Sequence, residues 1–177
     1  MTKNIFLTGE RGVGKSTLLR RLLADYRLSS AGFRTLPFVG QDGGHGFYLL
    51  GSNEPPISTP GPDRIIAIRG LGGRIEKIFT EVFETLGVSL LKRCLKGQPD
   101  IIIMDELGFM ERVAWNFQRA VMDCLESEVP VRGVIKPLSV PFLNKIRARK
   151  DVTIITVTTD NRELLYPELF ESGQFLP

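Results

Sequence analysis

Nine residues near the start of the chain, Gly9-Glu-Arg-Gly-Val-Gly-Lys-Ser-Thr17, have the types and spacing needed to hold a polyphosphate. They satisfy G-x-x-x-x-G-K-[ST] at every specified position and follow the apolar run Asn4–Thr8, the setting expected of a P-loop. Gly9, Gly12 and Gly14 let the backbone bend so that successive N–H groups point at the anion. Lys15 adds a positive charge beside the β- and γ-phosphates, and Ser16 offers a hydroxyl to Mg²⁺. Glu10, Arg11, Val13 and Thr17 complete the nucleotide-binding loop. The helix that follows directs its positive end at the phosphates. A glycine turn that merely joined a strand to a helix would not require Lys-Ser after its last glycine.

A P-loop site needs an acidic partner at the end of another buried strand, and Asp100-Ile-Ile-Ile-Met-Asp-Glu106 supplies one. Asp105 is expected to hold Mg²⁺ together with Ser16, because magnesium keeps several waters and takes few protein carboxylates. Glu106, one position further on, is then free to orient an attacking water or accept its proton. Without the P-loop, these two acids would read as surface residues at a strand end.

Those residues must be carried by a compact framework. The chain has 177 residues, 42% hydrophobic and 24% charged, enough for one P-loop domain over 1–177 and too few for two. A net charge of +3 is too mild to indicate nucleic acid. The basic run Lys145–Lys150 reads as the solvated face of a short helix. No apolar stretch approaches the ~20 residues that span a bilayer. The phosphate-binding strand begins at Asn4, which leaves no room for a signal peptide, so a cytoplasmic protein is expected. Cys94 and Cys124 lie on apolar helical stripes and read as reduced core residues.

Short apolar runs alternate with helical periodicity, which predicts an α/β fold: a mostly parallel central sheet flanked by helices. Strands are expected at Asn4–Thr8, Phe33–Phe38, Asp100–Met104, Val131–Ile135 and Val152–Val157. Helices are expected at Lys15–Tyr26, Ile75–Lys96 with a break at Gly87, Ala114–Ser127, Val140–Arg149 and Asn161–Phe170. The irregular stretch of about 40–73 predicts an antiparallel insertion at a sheet edge, with strands at Gly46–Leu50 and Arg64–Ile68 and a turn at Gly40–Gly46. His45 is a solvated residue of that turn, and Gly70–Arg74 a flexible lead into the following helix.

Several segments together resemble one known family. Phe6–Leu18, the Asp105-Glu-Leu-Gly108 element with Met110-Glu111, Phe142–Val152 and Thr158–Leu165 look like the thermophile-type, or cancer-related, nucleoside-triphosphatases, and the similarity runs nearly the whole length. The resemblance implies a RecA-like P-loop fold and slow Mg²⁺-dependent hydrolysis of several nucleoside triphosphates, ATP and GTP among them, to diphosphate and phosphate. Ser52–Gly73 departs most from that family and leaves base selectivity open. Two other classes stand as alternatives. A small-molecule or nucleotide kinase would need an acceptor pocket and a lid. A GTP-dependent switch would share the D-x-x-G pattern of Asp105–Gly108 but would also carry N-K-x-D, which is not found. The hydrolase is favoured because Asp105 and Glu106 give both a metal anchor and a water-directed base. A cation beside the γ-phosphate is expected from Arg112, Arg147, Arg149 or Arg162, with Arg162 preferred because it follows a strand's carboxyl end.

Overall fold

The computed structural model describes residues 3–40, 43–70 and 72–177. Three strands are buried along nearly their whole length: β1 (Asn4–Thr8), β6 (Ile101–Leu107) and β7 (Val131–Ile135). Such strands need cover on both faces, and alternate side chains sort accordingly. Ile5, Leu7, Ile101 and Ile103 join one core with Leu18, Leu19 and Leu22 of α1 (Lys15–Tyr26) and Leu165 and Leu169 of α5 (Arg162–Glu171). Phe6, Ile102 and Met104 point the other way. They meet Leu91 and Cys94 of α2 (residues 80–97), Phe117, Val121 and Cys124 of α3 (Trp115–Glu126), and Phe142 and Ile146 of α4 (Pro141–Arg147). Both cysteines are free, and burial raises the thiol of Cys94 to about 11 and that of Cys124 to about 12.

The described residues form one eight-stranded sheet in the order β5-β4-β3-β2-β6-β7-β1-β8. The strands not yet given are β2 (Ser30–Val39), β3 (His45–Gly51), β4 (Ile65–Arg69), β5 (Ile75–Ile78) and β8 (Val152–Thr156). From β2 to β8 the pairs are parallel; from β2 out to β5 they are antiparallel. The α/β expectation therefore holds, antiparallel insertion included. The glycine-rich loop leaves β1, the acidic pair lies near the carboxyl end of β6, and β7 runs between β6 and β1. The expected turn at Gly40–Gly46 includes Gln41 and Asp42, which lie outside the described residues.

The expected helix at Ile75–Lys96 needs correction. Its first four residues form β5, antiparallel to β4, with Ile75 and Ile78 half-buried and Glu76 and Lys77 exposed. In so short a stretch the two isoleucines fit a helical spacing and a strand end equally well; β4's open edge decides for the strand. The Gly70–Arg74 run is accordingly a hairpin turn, closed by a bond from Gly70 N–H to the Arg74 carbonyl, rather than a lead into a helix; Leu71 lies outside the described residues. Helix α2 begins at Thr80 and does not break at Gly87. It passes through a π-wound stretch, Phe83–Gly87, into Val88–Gly97, with Gly87 at helical φ −59° and ψ −49°.

Packing explains that glycine. A β-carbon at Gly87 would lie 2.7 and 2.8 Å from two ring carbons of Phe117, a fully buried side chain, and 3.4 Å from Leu49. Helix propensity alone favours Gly87→Ala by about 0.5–1 kcal/mol, whereas overpacking costs about 1–3 kcal/mol. The packing effect is the larger, so the substitution should destabilise the protein. Urea unfolding of both proteins checks the sign, and a variant more stable than the parent would show that α2 and α3 are not in this contact.

Candidate functional site

The loop between β1 and α1 is shaped by glycines that other residues could not replace. Gly9 has φ +138°, and a β-carbon there would meet the Val157 carbonyl oxygen at 2.2 Å. Gly14, at φ +100°, precedes α1, whose amino end carries no side-chain cap. Val13 turns into the core beneath the loop, and Glu10 and Arg11 are exposed. Lys15 is mostly buried, its ammonium donating to the carbonyls of Gly9 at 2.9 Å and Glu10 at 2.6 Å. Burial pulls its pKa below the ordinary lysine value, with Glu106 the strongest opposing influence. The lysine thus holds the loop in a cradle shape by resting on the loop's own carbonyls.

The acidic strand meets this loop across β7. The Ser16 hydroxyl donates to Asp105 Oδ1 at 2.7 Å, although 89 positions separate the two residues. Asp105 lies inside β6 rather than just past it, because the strand continues to Leu107. It is 5% exposed, and that burial raises its pKa; the Ser16 hydrogen bond acts in the opposite direction. Mg²⁺ fits these residues: a hydroxyl and a desolvated carboxylate are hard oxygen donors, already within hydrogen-bonding distance.

Glu106 faces the cavity and pairs with Lys136, whose Nζ is 3.1 Å from Oε1. The Lys136 N–H bonds to the Leu107 carbonyl at 2.9 Å, so the β6–β7 ladder itself sets the lysine beside the glutamate. The cavity has a volume of about 490 Å³. Gly9, Arg11, Gly12, Gly14, Lys15, Ser16 and Thr17 line one part of it, and Glu106 and Lys136 another. Phe47 and Arg69 enter from the antiparallel strands; Phe109, Pro137 and Leu138 enter from the loops after β6 and β7. The structure thus brings the loop, Ser16, Asp105 and Glu106 together.

The arginines separate by what already holds them. Arg147 donates to the carbonyls of Lys136 and Leu138 and so secures the loop after β7. Arg149 is paired with Asp151 at 2.8 Å and Glu126 at 3.4 Å. Arg162 begins α5, with its Cδ 3.8 Å from where a Gly14 β-carbon would stand. Its Nε pairs with Glu163 at 3.2 Å, and it does not line the cavity that contains Glu106. Arg112 does not line that cavity either. Lys136, Phe47 and Arg69 are absent from the sequence-based site. Lys136 was within reach of sequence reading, since it directly follows an expected buried strand, at the strand end where open α/β sheets bind ligands.

Known proteins resemble this chain over nearly its whole length. A family model described as NTPase matches residues 4–170. The nucleoside-triphosphatase THEP1 of Thermotoga sp. (strain RQ2) is 33% identical over 176 residues, covering 97% of this chain and 95% of that protein. A cancer-related nucleoside-triphosphatase homolog of Bos taurus is 31% identical over 185 residues, covering 96% and 95%. Among solved structures, a human cancer-related nucleoside triphosphatase is similar with TM-score 0.71 and 28% identity, covering 97% of each chain. The THEP1 of Aquifex aeolicus, at 24% identity and TM-score 0.72, covers 96% of this chain and 98% of its own and shares the fold.

Glu111 lies under the site, 1% exposed, and accepts a hydrogen bond from Gly108 N–H. Burial raises its pKa from 4.5 to about 7, with the Gly108 bond opposing. The unfolded chain releases this proton near pH 4.5 and the folded chain near 7, so the folded state binds more protons between them. Glu111 therefore makes stability greatest below pH 4.5, lower as pH rises to about 7, and constant above. Glu111→Gln removes the ionisation, and its stability relative to the parent should rise by about 2–3 kcal/mol between pH 4.5 and pH 8. Denaturant unfolding at both pH values measures this, and a difference independent of pH would refute the buried carboxyl.

Proposed function

We propose, for a chain that belongs to the NTPase family of THEP1 and the cancer-related nucleoside-triphosphatases, that it hydrolyses ATP, GTP and other nucleoside triphosphates to diphosphate and phosphate with Mg²⁺. One observation carries the reading beyond nucleotide binding: Glu106, next to the buried Asp105, faces the cavity that also contains Lys15 and Ser16. A carboxylate in that position can direct water at the γ-phosphorus.

The residues divide the work. The amides from Gly9 to Thr17 bind the phosphate oxygens, and Lys15 turns from the Gly9 and Glu10 carbonyls to the β- and γ-phosphates. Ser16 and Asp105 would hold Mg²⁺, which would neutralise phosphate charge. Glu106 orients the lytic water and accepts its proton, while Lys136 fixes the direction of the carboxylate. Arg162, at the start of α5, lies beside Gly14 and outside the Glu106 cavity. No helix among the described residues is long and apolar enough to cross a membrane. Two buried free thiols support action in the reducing cytoplasm.

The test is Glu106→Gln, which keeps the shape and removes the base. Single-turnover hydrolysis should slow by about 10²–10⁴-fold, while triphosphate binding is retained. Rates within threefold of the parent would remove Glu106 from the chemistry. Lys15→Ala, by contrast, should weaken both binding and turnover.

A further inference from the structure

We infer that Arg69, on the antiparallel insertion, is the cation that contacts the γ-phosphate in the transition state; the inference rests on the hydrolase reading and assigns it a catalytic residue. Arg69 lines the same cavity as Lys15, Ser16 and Glu106. Its guanidinium carbon lies over the Phe47 ring, 4.4 Å from the centroid, a contact that uses none of the group's N–H donors. Its Nε is buried and has no hydrogen-bond partner, and among the described residues no carboxylate forms an ion pair with it. A buried donor left unsatisfied is costly, and an acceptor that arrives with the ligand removes the cost.

The local fold aims this side chain. Arg69 is paired with His45 across β3 and β4, which places it diagonally from Phe47 on one face of the sheet. On its other side the register to β5 shifts between Ile68 and Arg69, a bulge of the kind that redirects a side chain beside a site. Of the other cations near the cavity, Lys15 rests on the loop carbonyls, Lys136 on Glu106 and Arg162, outside it, on Glu163, while Arg11 is exposed on the glycine-rich loop and has no buried donor to satisfy. Arg69 combines a free donor, a rigid platform and a place in the cavity. The insertion thus supplies from within the chain a charge that becomes most useful as negative charge spreads over the oxygens of the transferring phosphoryl group.

Arg69→Ala should lower the single-turnover rate by about 10²–10³-fold. Diphosphate affinity should be unchanged within about threefold, while affinity for diphosphate plus aluminium fluoride and Mg²⁺, a mimic of the transferring group, falls in step with the rate. Free guanidinium added to Arg69→Ala should restore part of the activity, a response that a merely structural arginine would not give. Arg69→Lys, which keeps the charge and the stem, provides the same readings should the alanine variant fail to fold; it should retain more rate than alanine but fall below the parent, for lack of the planar fork. The inference is overturned if either folded variant hydrolyses at the parental rate, or if affinity for diphosphate and for the mimic fall equally, which would make Arg69 a general binding residue. The parent and Lys15→Ala run alongside. A parent that hydrolyses, a Lys15→Ala that does not and an unaffected Arg69→Ala refute this inference alone, whereas a parent that releases no phosphate refutes the hydrolase reading with it.

Discussion

Burying the Asp105 carboxylate near the carboxyl end of a largely apolar strand is unfavourable, and much of the sheet's carboxyl edge offsets that cost. Its first compensation is the Ser16 hydroxyl, which reaches it from α1. The bond joins the helix after the glycine-rich loop to the acidic strand, and it forms only because β1 and β6 run parallel with β7 between them. Further off, Arg20 and Arg34 favour the ionised form, the latter directly opposite Asp105 in the β2–β6 register. A hydroxyl and a nearly dry carboxylate held in this way are prepared for a hard cation, and the cost of assembling them is met by the folding of the sheet.

The same edge balances its remaining charges in pairs. Lys136 faces Glu106, and Lys15 rests on carbonyl oxygens. These arrangements keep the cavity formed around groups that a triphosphate would recruit. Rigidity comes from below, where two apolar cores clamp both faces of the parallel strands. It also comes from the side, where Arg147 holds the loop after β7 by its carbonyls. Arg69 stands apart from this pattern, as a cavity cation with an unsatisfied buried donor.

Much of the fold was legible because its signals are local. The run from Gly9 to Thr17 specifies its backbone through glycine, and its chemistry through Lys15 and Ser16, without reference to the rest of the chain. Strands are expected at Asn4–Thr8 and Val131–Ile135, and both appear with the expected bounds. Where local patterns were ambiguous, reading them failed. Ile75 and Ile78 suit a helix start as well as an edge strand, and Gly87 suggests a helix break until Phe117 is seen against it.

By itself the sequence determined the phosphate loop, the acidic pair, the α/β alternation and the existence of an antiparallel insertion, because each follows from spacing within a few residues. Tertiary structure decided which cations reach the site. Lys136 lies beside Glu106 through the β6–β7 register, and Arg69 enters the cavity through a bulge and a stack on Phe47. Arg147 and Arg149, equally plausible in sequence, are held by carbonyls and carboxylates elsewhere. A side chain's charge is written in its residue type, but its direction depends on strand pairing between segments far apart in the chain, and no local pattern encodes that pairing.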